Sequence, residues 1–232
     1  MIDYAFNDGV ARITLNTPET HNAFTRQLML DFIAAIGRAH EQQADVLVIS
    51  ATGQDFTLGR DQKERLPDVP LRDNLGLILQ ANAALRGFPG VSVALIQGRA
   101  LGFGSGVSLH STISIAAESA ELGFDEIDHN LAPLIVVAYL PWFISPRVAE
   151  DLVLSGRRVP ADEALRIGLV SRVVKDDQLH SAAEALVQSL RHSAPAARVI
   201  RRYSQQLPGY PSESLSQQAI EQLANWVEQG KP

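Results

Sequence analysis

A chain of 232 residues, 46% apolar and 20% charged, has enough hydrophobic material for one large domain with a real core. Its 20 basic and 26 acidic side chains give a net charge of −6, and no basic stripe stands out, which argues against nucleic-acid binding. The lack of cysteine removes disulfides, thiolate metal sites and cysteine nucleophiles. Only three lysines occur (Lys63, Lys175, Lys231), so an anionic ligand is met mainly by arginines and backbone amides.

The amino-terminal "MIDYAFNDGV" has no basic region followed by an apolar one, so no secretory signal is expected. "VARITLN" (Val10 to Asn16) alternates as a strand does, and "NTPET" ends it. From Thr25 to His40 the apolar residues Leu28, Met29, Phe32, Ile33 and Ile36 fall on one helical face. "DVLVISA" (Asp45 to Ala51) is a continuous apolar run, the mark of a strand covered on both sides. A helix is expected over Asp73 to Arg86, then strands at Val91 to Gly98 and Thr112 to Ala117. The most apolar run, Leu131 to Ile144, is 14 residues long with Pro133 and Pro141; it is too short to cross a bilayer and reads as a buried helix. Beyond it the pattern is helical over 147–155, 161–167, 177–192, 195–207 and 213–228, the last with Ser212 as N-cap and a stripe of Leu215, Ala219, Leu223 and Trp226. The layout is an α/β core over residues 1–130 with stacked sheets, followed by a helical region over 131–232. A cytoplasmic protein with no membrane and no nucleic-acid partner is expected.

Between strand and helix, "GRALGFGSG" places Gly98, Gly102, Gly104 and Gly106 within nine residues. Glycines permit positive φ and let backbone N–H groups face a ligand with no Cβ in the way. A helix start adds unpaired donors and positive dipole character. "FTLGRDQKE" (Phe56 to Glu64) has the same strand–glycine form, although taken alone it reads better as a solvated loop after a buried strand. Two such turns in one domain can aim two amides at one oxygen, which is an oxyanion hole.

In chain order, "NTPETHNAF" with Asn22 and Ala23, "DFTLGRDQKE", "VALIQGRALGFGSG" and "VLSGRRVPADEALRIGLVSRVV" resemble the crotonase family, the enoyl-CoA hydratase/isomerase group. The resemblance covers residues 1 to about 205 and implies a spiral of ββα units, a homotrimer or hexamer, and an acyl-CoA thioester substrate, with coenzyme A as part of that substrate and no separate cofactor or metal. It places the thioester oxygen between the amides of Arg60 and Phe103, and substrate contacts at Leu58, Gly59, Asp61, Lys63, Gly102 and Gly104. The family has glycine where Phe103 stands, and a bulky ring there is expected to reshape the acyl pocket. Thr20 occupies a place often held by a basic residue near the coenzyme A phosphates, with Lys63, Arg65 and Arg26 as substitutes. Family members run on past "NWVEQGKP", with a last helix over the acyl pocket; the earlier stop bears on the lid, the oligomer contacts and the adenine site, and is expected to admit an acyl group tethered to a carrier protein.

A hydratase of this family carries two glutamates. The first falls on Gly106 and is missing; the second falls on Glu126, in "LGFDEIDHN", and is present. Hydration divides two proton transfers between two carboxylates, whereas moving a double bond from the 3,4 to the 2,3 position needs one base and the oxyanion hole. The pattern therefore favours isomerase-type proton shuttling by Glu126. A hydratase or lyase using Glu126 with Asp128 as second acid, and a non-catalytic acyl-CoA or carrier-protein binder, stay open. Asp125 reads as a solvated acid, and His110, on the helix after the glycines, as a core or interface histidine.

Overall fold

The computed structural model describes residues 1–206 and 213–229. Two strands open the chain, β1 (Ile2–Asn7) and β2 (Val10–Leu15), joined by a two-residue turn in which Asp8 and Gly9 both have positive φ. Such a turn matches the twist of an antiparallel pair. Helix α1 (Arg26–Glu41) follows, buries Leu28, Met29, Phe32, Ala35, Ile36 and Ala39 on one face, and is capped by Thr25, whose side chain accepts from Leu28 N. Next come β3 (Val46–Ala51), α2 (Leu71–Gly87) and β4 (Val91–Ile96). Every residue of β4 is buried, Ser92 included, as in a strand covered on both faces. A short β5 (Arg99–Leu101) leads into α3 (Phe103–His110), then β6 (Ile113–Ala117) and β7 (Glu121–Gly123).

The later part holds α4 (Leu134–Tyr139), α5 (Pro146–Ser155), β8 (Val159–Pro160), α6 (Ala161–Ile167), β9 (Arg172–Val174), α7 (Leu179–His192), α8 (Ala194–Ser204) and α9 (Glu213–Glu228). This region is not purely helical. Strand β9 closes one sheet of order β1-β2-β3-β4-β6-β9, parallel except for its first pair, and β8 completes a second of order β5-β7-β8. The run from Leu131 to Ile144 is likewise not one helix: α4 begins after Pro133, and Pro141 falls in a 3-10 turn over Leu140–Trp142. Proline lacks the N–H that a continuous helix needs. In α9, Ala219 and Leu223 are buried but Leu215 is 48% exposed; Ser212 lies outside the described residues. Arg72 fastens α9 to the start of α2 through Glu221 at 3.0 Å and Glu228 at 2.8 Å.

A buried polar knot holds the two sheets in register near the future site. Asn22 is 0% exposed; its side chain accepts from Thr17 N and donates to the carbonyls of Thr52 and Asp55. Asp55, 1% exposed, accepts two bonds from the Arg99 guanidinium (2.8 and 2.7 Å), one from Arg99 N (3.0 Å), and contacts His21 at 2.7 Å. The Arg99 bonds hold its carboxyl down at about 2 against the opposing effect of burial. Because the folded value lies below the ordinary one, the stabilisation is present above about pH 4 and is lost as pH falls towards 2. Replacing Asp55 by Ala strands Arg99 and is expected to cost roughly 3 kcal/mol, the low end for a broken buried pair because Arg99 still reaches solvent. Urea unfolding at pH 7 and pH 3 checks both parts: the deficit should be large at the first and smaller at the second.

Candidate functional site

The residues from Asp55 to Asp61 run between the 21–24 segment and β5. Phe56 N bonds to Gln97 O, Thr57 N to Arg99 O, and Leu101 N to Thr57 O, each at 2.9–3.0 Å. Arg60 forms a one-residue parallel bridge with Phe24, in which Phe24 N donates to Gly59 O at 2.7 Å and Asp61 N to Phe24 O at 3.0 Å. In that pattern the middle residue turns its own N–H and C=O to the opposite side, so the Arg60 amide faces away from Phe24. Opposite, Gly102 adopts φ 48° as the N-cap of α3, and Phe103 is the first helical residue, whose N–H has no intrahelical acceptor. The two turns touch: a Cβ on Gly59 would lie 2.7 Å from Leu101 O and 3.3 Å from Phe103 N. The turn that carries the Arg60 N–H therefore lies against the start of α3, where the Phe103 N–H and the positive end of the helix are found.

Glu126 opens a 3-10 turn after β7, and its Oε1 would lie 2.9 Å from a Cβ on Gly102. The residue as a whole is partly covered, but Oε2 is shut from water and has no hydrogen-bond partner. Burial first, and the nearby Asp125 charge second, push its carboxyl up to about 7 against the pull of a backbone hydrogen bond. A carboxyl poised near neutrality is suited to take and return a proton.

The position of the missing first acid is filled by something else. A Cβ on Gly106 would lie 3.1 Å from the Tyr139 hydroxyl and 4.0 Å from Asn82 Oδ1, itself buried with no partner. Burial, then the charge of Glu126, push the Tyr139 hydroxyl far above its ordinary value, so it keeps its proton. Tyr139 escaped sequence reasoning because it sits in an apolar run; the available signal was a lone phenol there, which needs a polar outlet when buried.

These groups open on a cavity of about 290 Å³. Leu71, Leu75 and Ile78 of α2 form one wall, and Leu223 and Val227 of α9 another, so the chain's own last helix covers the cavity. Leu58, Arg60, Asp61, Gly102, Phe103 and Glu126 all line it. Gly59 and Gly104 lie behind, Gly104 with its Cα against Thr57. Lys63 is exposed and outside the lining; its N–H bonds to Asp61 Oδ1 at 2.8 Å. The Phe103 ring is drawn into the core, 5% exposed and edge-on to Phe24 (4.9 Å) and Phe32 (6.3 Å).

Asp128 is not brought to the cavity. It is exposed, and its carboxylate lies against the Gly156 turn, 3.1 Å from where a Cβ there would be. Asp125 does line the cavity, but its carboxylate is shared by Arg158 at 3.4 Å and His129 at 3.8 Å. His110 is buried at the end of α3, edge-on to Tyr139 and Phe143, and burial with Arg86 beside it keeps the ring neutral. Arg26 gives its backbone N–H to Glu64 at 2.8 Å, and its Nη1 is buried, while Arg65 is exposed. Thr20 is exposed. Among the described residues no helix is long and apolar enough to cross a membrane.

The model of the enoyl-CoA hydratase/isomerase family matches residues 5–225. The YngF protein of Bacillus subtilis is 33% identical over 197 residues, covering 82% of this chain and 75% of its own length. Enoyl-CoA hydratase domain-containing protein 2 of Mus musculus is 30% identical over 200 residues, 82% of this chain and 68% of its own. The crystal structure of an enoyl-CoA hydratase from Bacillus anthracis superposes with a TM-score of 0.82 at 26% identity, over 97% of this chain and 89% of that one. With the stacked sheets, the paired backbone donors and Glu126 already in place, these likenesses settle the family: this chain belongs to the enoyl-CoA hydratase/isomerase family.

Proposed function

We propose that this chain is an acyl-CoA enzyme of isomerase type, in which Glu126 is the only base. The thioester oxygen of a 3-enoyl-CoA sits between the amides of Arg60 and Phe103. Glu126 removes a proton from C2; the C–H electrons move into the thioester, and the resulting dienolate is stabilised by the two N–H groups and the start of α3. Glu126 then returns the proton at C4 as the double bond settles between C2 and C3. Atoms and charge balance without water or a redox partner.

The observation that carries this reading is the backing of Gly106 on the Tyr139 hydroxyl. A protonated phenol there donates a hydrogen bond but activates no water, so the second base that hydration uses has no counterpart. The other carboxylates on the cavity wall are engaged. Both oxygens of Glu64 accept from Arg26 N, Asp61 holds Lys63 N, and Asp125 faces Arg158. The raised carboxyl of Glu126 supports the same role, since a base with a value near 7 both takes and releases a proton at neutral pH.

Incubation of the protein with 3-enoyl-CoA and 2-enoyl-CoA in deuterated water tests the proposal. Double-bond migration or deuterium uptake at C2 is expected, reduced by about 10²–10⁴-fold in Glu126→Gln. Hydration of 2-enoyl-CoA at a comparable rate would sink the isomerase reading. A pH profile supplies a second check. The base works deprotonated, so kcat/KM should fall as pH drops through about 7 and reach a plateau above it. A profile flat from pH 5 to 9 would assign the proton transfer to another group.

A further inference from the structure

Arg60 takes part in the proposed hole only through its backbone, yet its side chain also lines the cavity. That side chain is 14% exposed. Its Nη2 donates to Asn74 Oδ1 at 2.8 Å, and the nearest carboxylate, Glu64 Oε2, stays at 3.8 Å. Glu64 is not free to come closer, because both its oxygens hold the Arg26 N–H at the start of α1. The other amino group, Nη1, is buried and has no acceptor among the described residues. A guanidinium cannot shed its proton to escape burial, so a cation with an idle donor stands on the cavity wall, facing the apolar sides given by Leu71, Leu75 and Ile78 of α2 and by Leu223 and Val227 of α9, while the lining carboxylates Asp61, Glu64 and Asp125 are held by Lys63 N, Arg26 N and Arg158.

A hydrocarbon acyl chain entering this chamber would strip what water the guanidinium retains and return nothing. A carboxylate at the end of the chain would supply the missing acceptor and a counter-charge closer than that of Glu64, which pairs with Nη2 at 3.8 Å, in the two-point geometry for which guanidinium is suited. Because one residue provides the hole amide and the cation, the carboxylate must sit within one arginine side chain of the thioester. From this we infer that the acyl group carries its own carboxylate, making the substrate a short-chain dicarboxylic monothioester, with the Arg60 guanidinium as the residue that selects it. The inference rests on the acyl-CoA reading above and names the substrate class for that site. Glu126 does not oppose it, since its carboxylate lies at the Gly102 end, beside the thioester position.

Saturated probes separate selection from chemistry. Glutaryl-CoA and pentanoyl-CoA have equal chain length and the same coenzyme A, so any arginine contact with its phosphates cancels in their ratio. Calorimetric titration of the wild-type protein is expected to show glutaryl-CoA binding about tenfold more tightly or better, the range for a charge-assisted hydrogen bond. In Arg60→Met the order should invert, while the peptide N–H of residue 60 is retained; Arg60→Lys should keep part of the preference. Equal or weaker binding of glutaryl-CoA by the wild type overturns the inference whether or not the variants fold, as does a preference that survives in Arg60→Met. If folded wild-type protein binds neither thioester, the acyl-CoA reading itself falls. If it binds both without discrimination, only the assignment to dicarboxylic chains falls.

Discussion

The site depends on one close approach, that of the Gly59 turn to the start of α3. Leu101 O and Phe103 N lie so near Gly59 that a β-carbon there would overlap the carbonyl, and Gly102 must hold φ 48° with Glu126 against its α-carbon. Neither glycine tolerates a side chain, and together they decide where three separate stretches of sequence meet. The approach is maintained from outside by the second sheet. Ser105 donates to the carbonyls of Ala100 and Gly123 and accepts from Gly123 N, which locks α3 to the β5–β7 pair. Backbone donors held in this way need not reorient to meet an acceptor.

Two carboxyls a short way along this framework show how environment divides labour between identical groups. Asp55 is buried, 1% exposed, but a bidentate guanidinium and a backbone N–H hold it down at about 2, and it serves to fix geometry. Glu126 has an oxygen with no partner and is pushed up to about 7. The first is a permanent anion with every lone pair engaged. The second can change its protonation state at neutral pH, because the fold leaves it underpaired.

β3 was legible as an apolar run because both its faces are covered, β2 as an alternating strand, and α1 as a stripe because only one face is covered. β1 was not, since most of Ile2–Asn7 is exposed and carries little alternation. β5, β7 and β8, of two or three residues each, exist only through their partners and leave no local signal. In the site, the dense glycines are legible in the sequence itself, whereas Glu126 and the two amides are named only by the family resemblance. The fate of Phe103 does not: two core phenylalanines, Phe24 and Phe32, far off in sequence, draw its ring inward. Nor does the position of Asp128, which a 3-10 turn carries to the outside within two residues of Glu126.

Gly106 and Tyr139 bear on the same point from opposite sides. An acid at 106 would need the volume that the Tyr139 hydroxyl holds, so restoring it requires two changes, the removal of the phenol and the addition of a carboxylate. The phenol is in turn fixed by an edge-on contact with His110, 4.7 Å between centroids, and His110 is fixed against Phe143 and Arg86. A contiguous packed set running from α2 through α3 to the end of α4 thus holds a neutral group where a second charge would otherwise face Glu126. Two carboxylates there would repel, and one would be forced to keep its proton. With a neutral phenol instead, the protonation state of Glu126 is set by its own burial, by a backbone hydrogen bond and by Asp125.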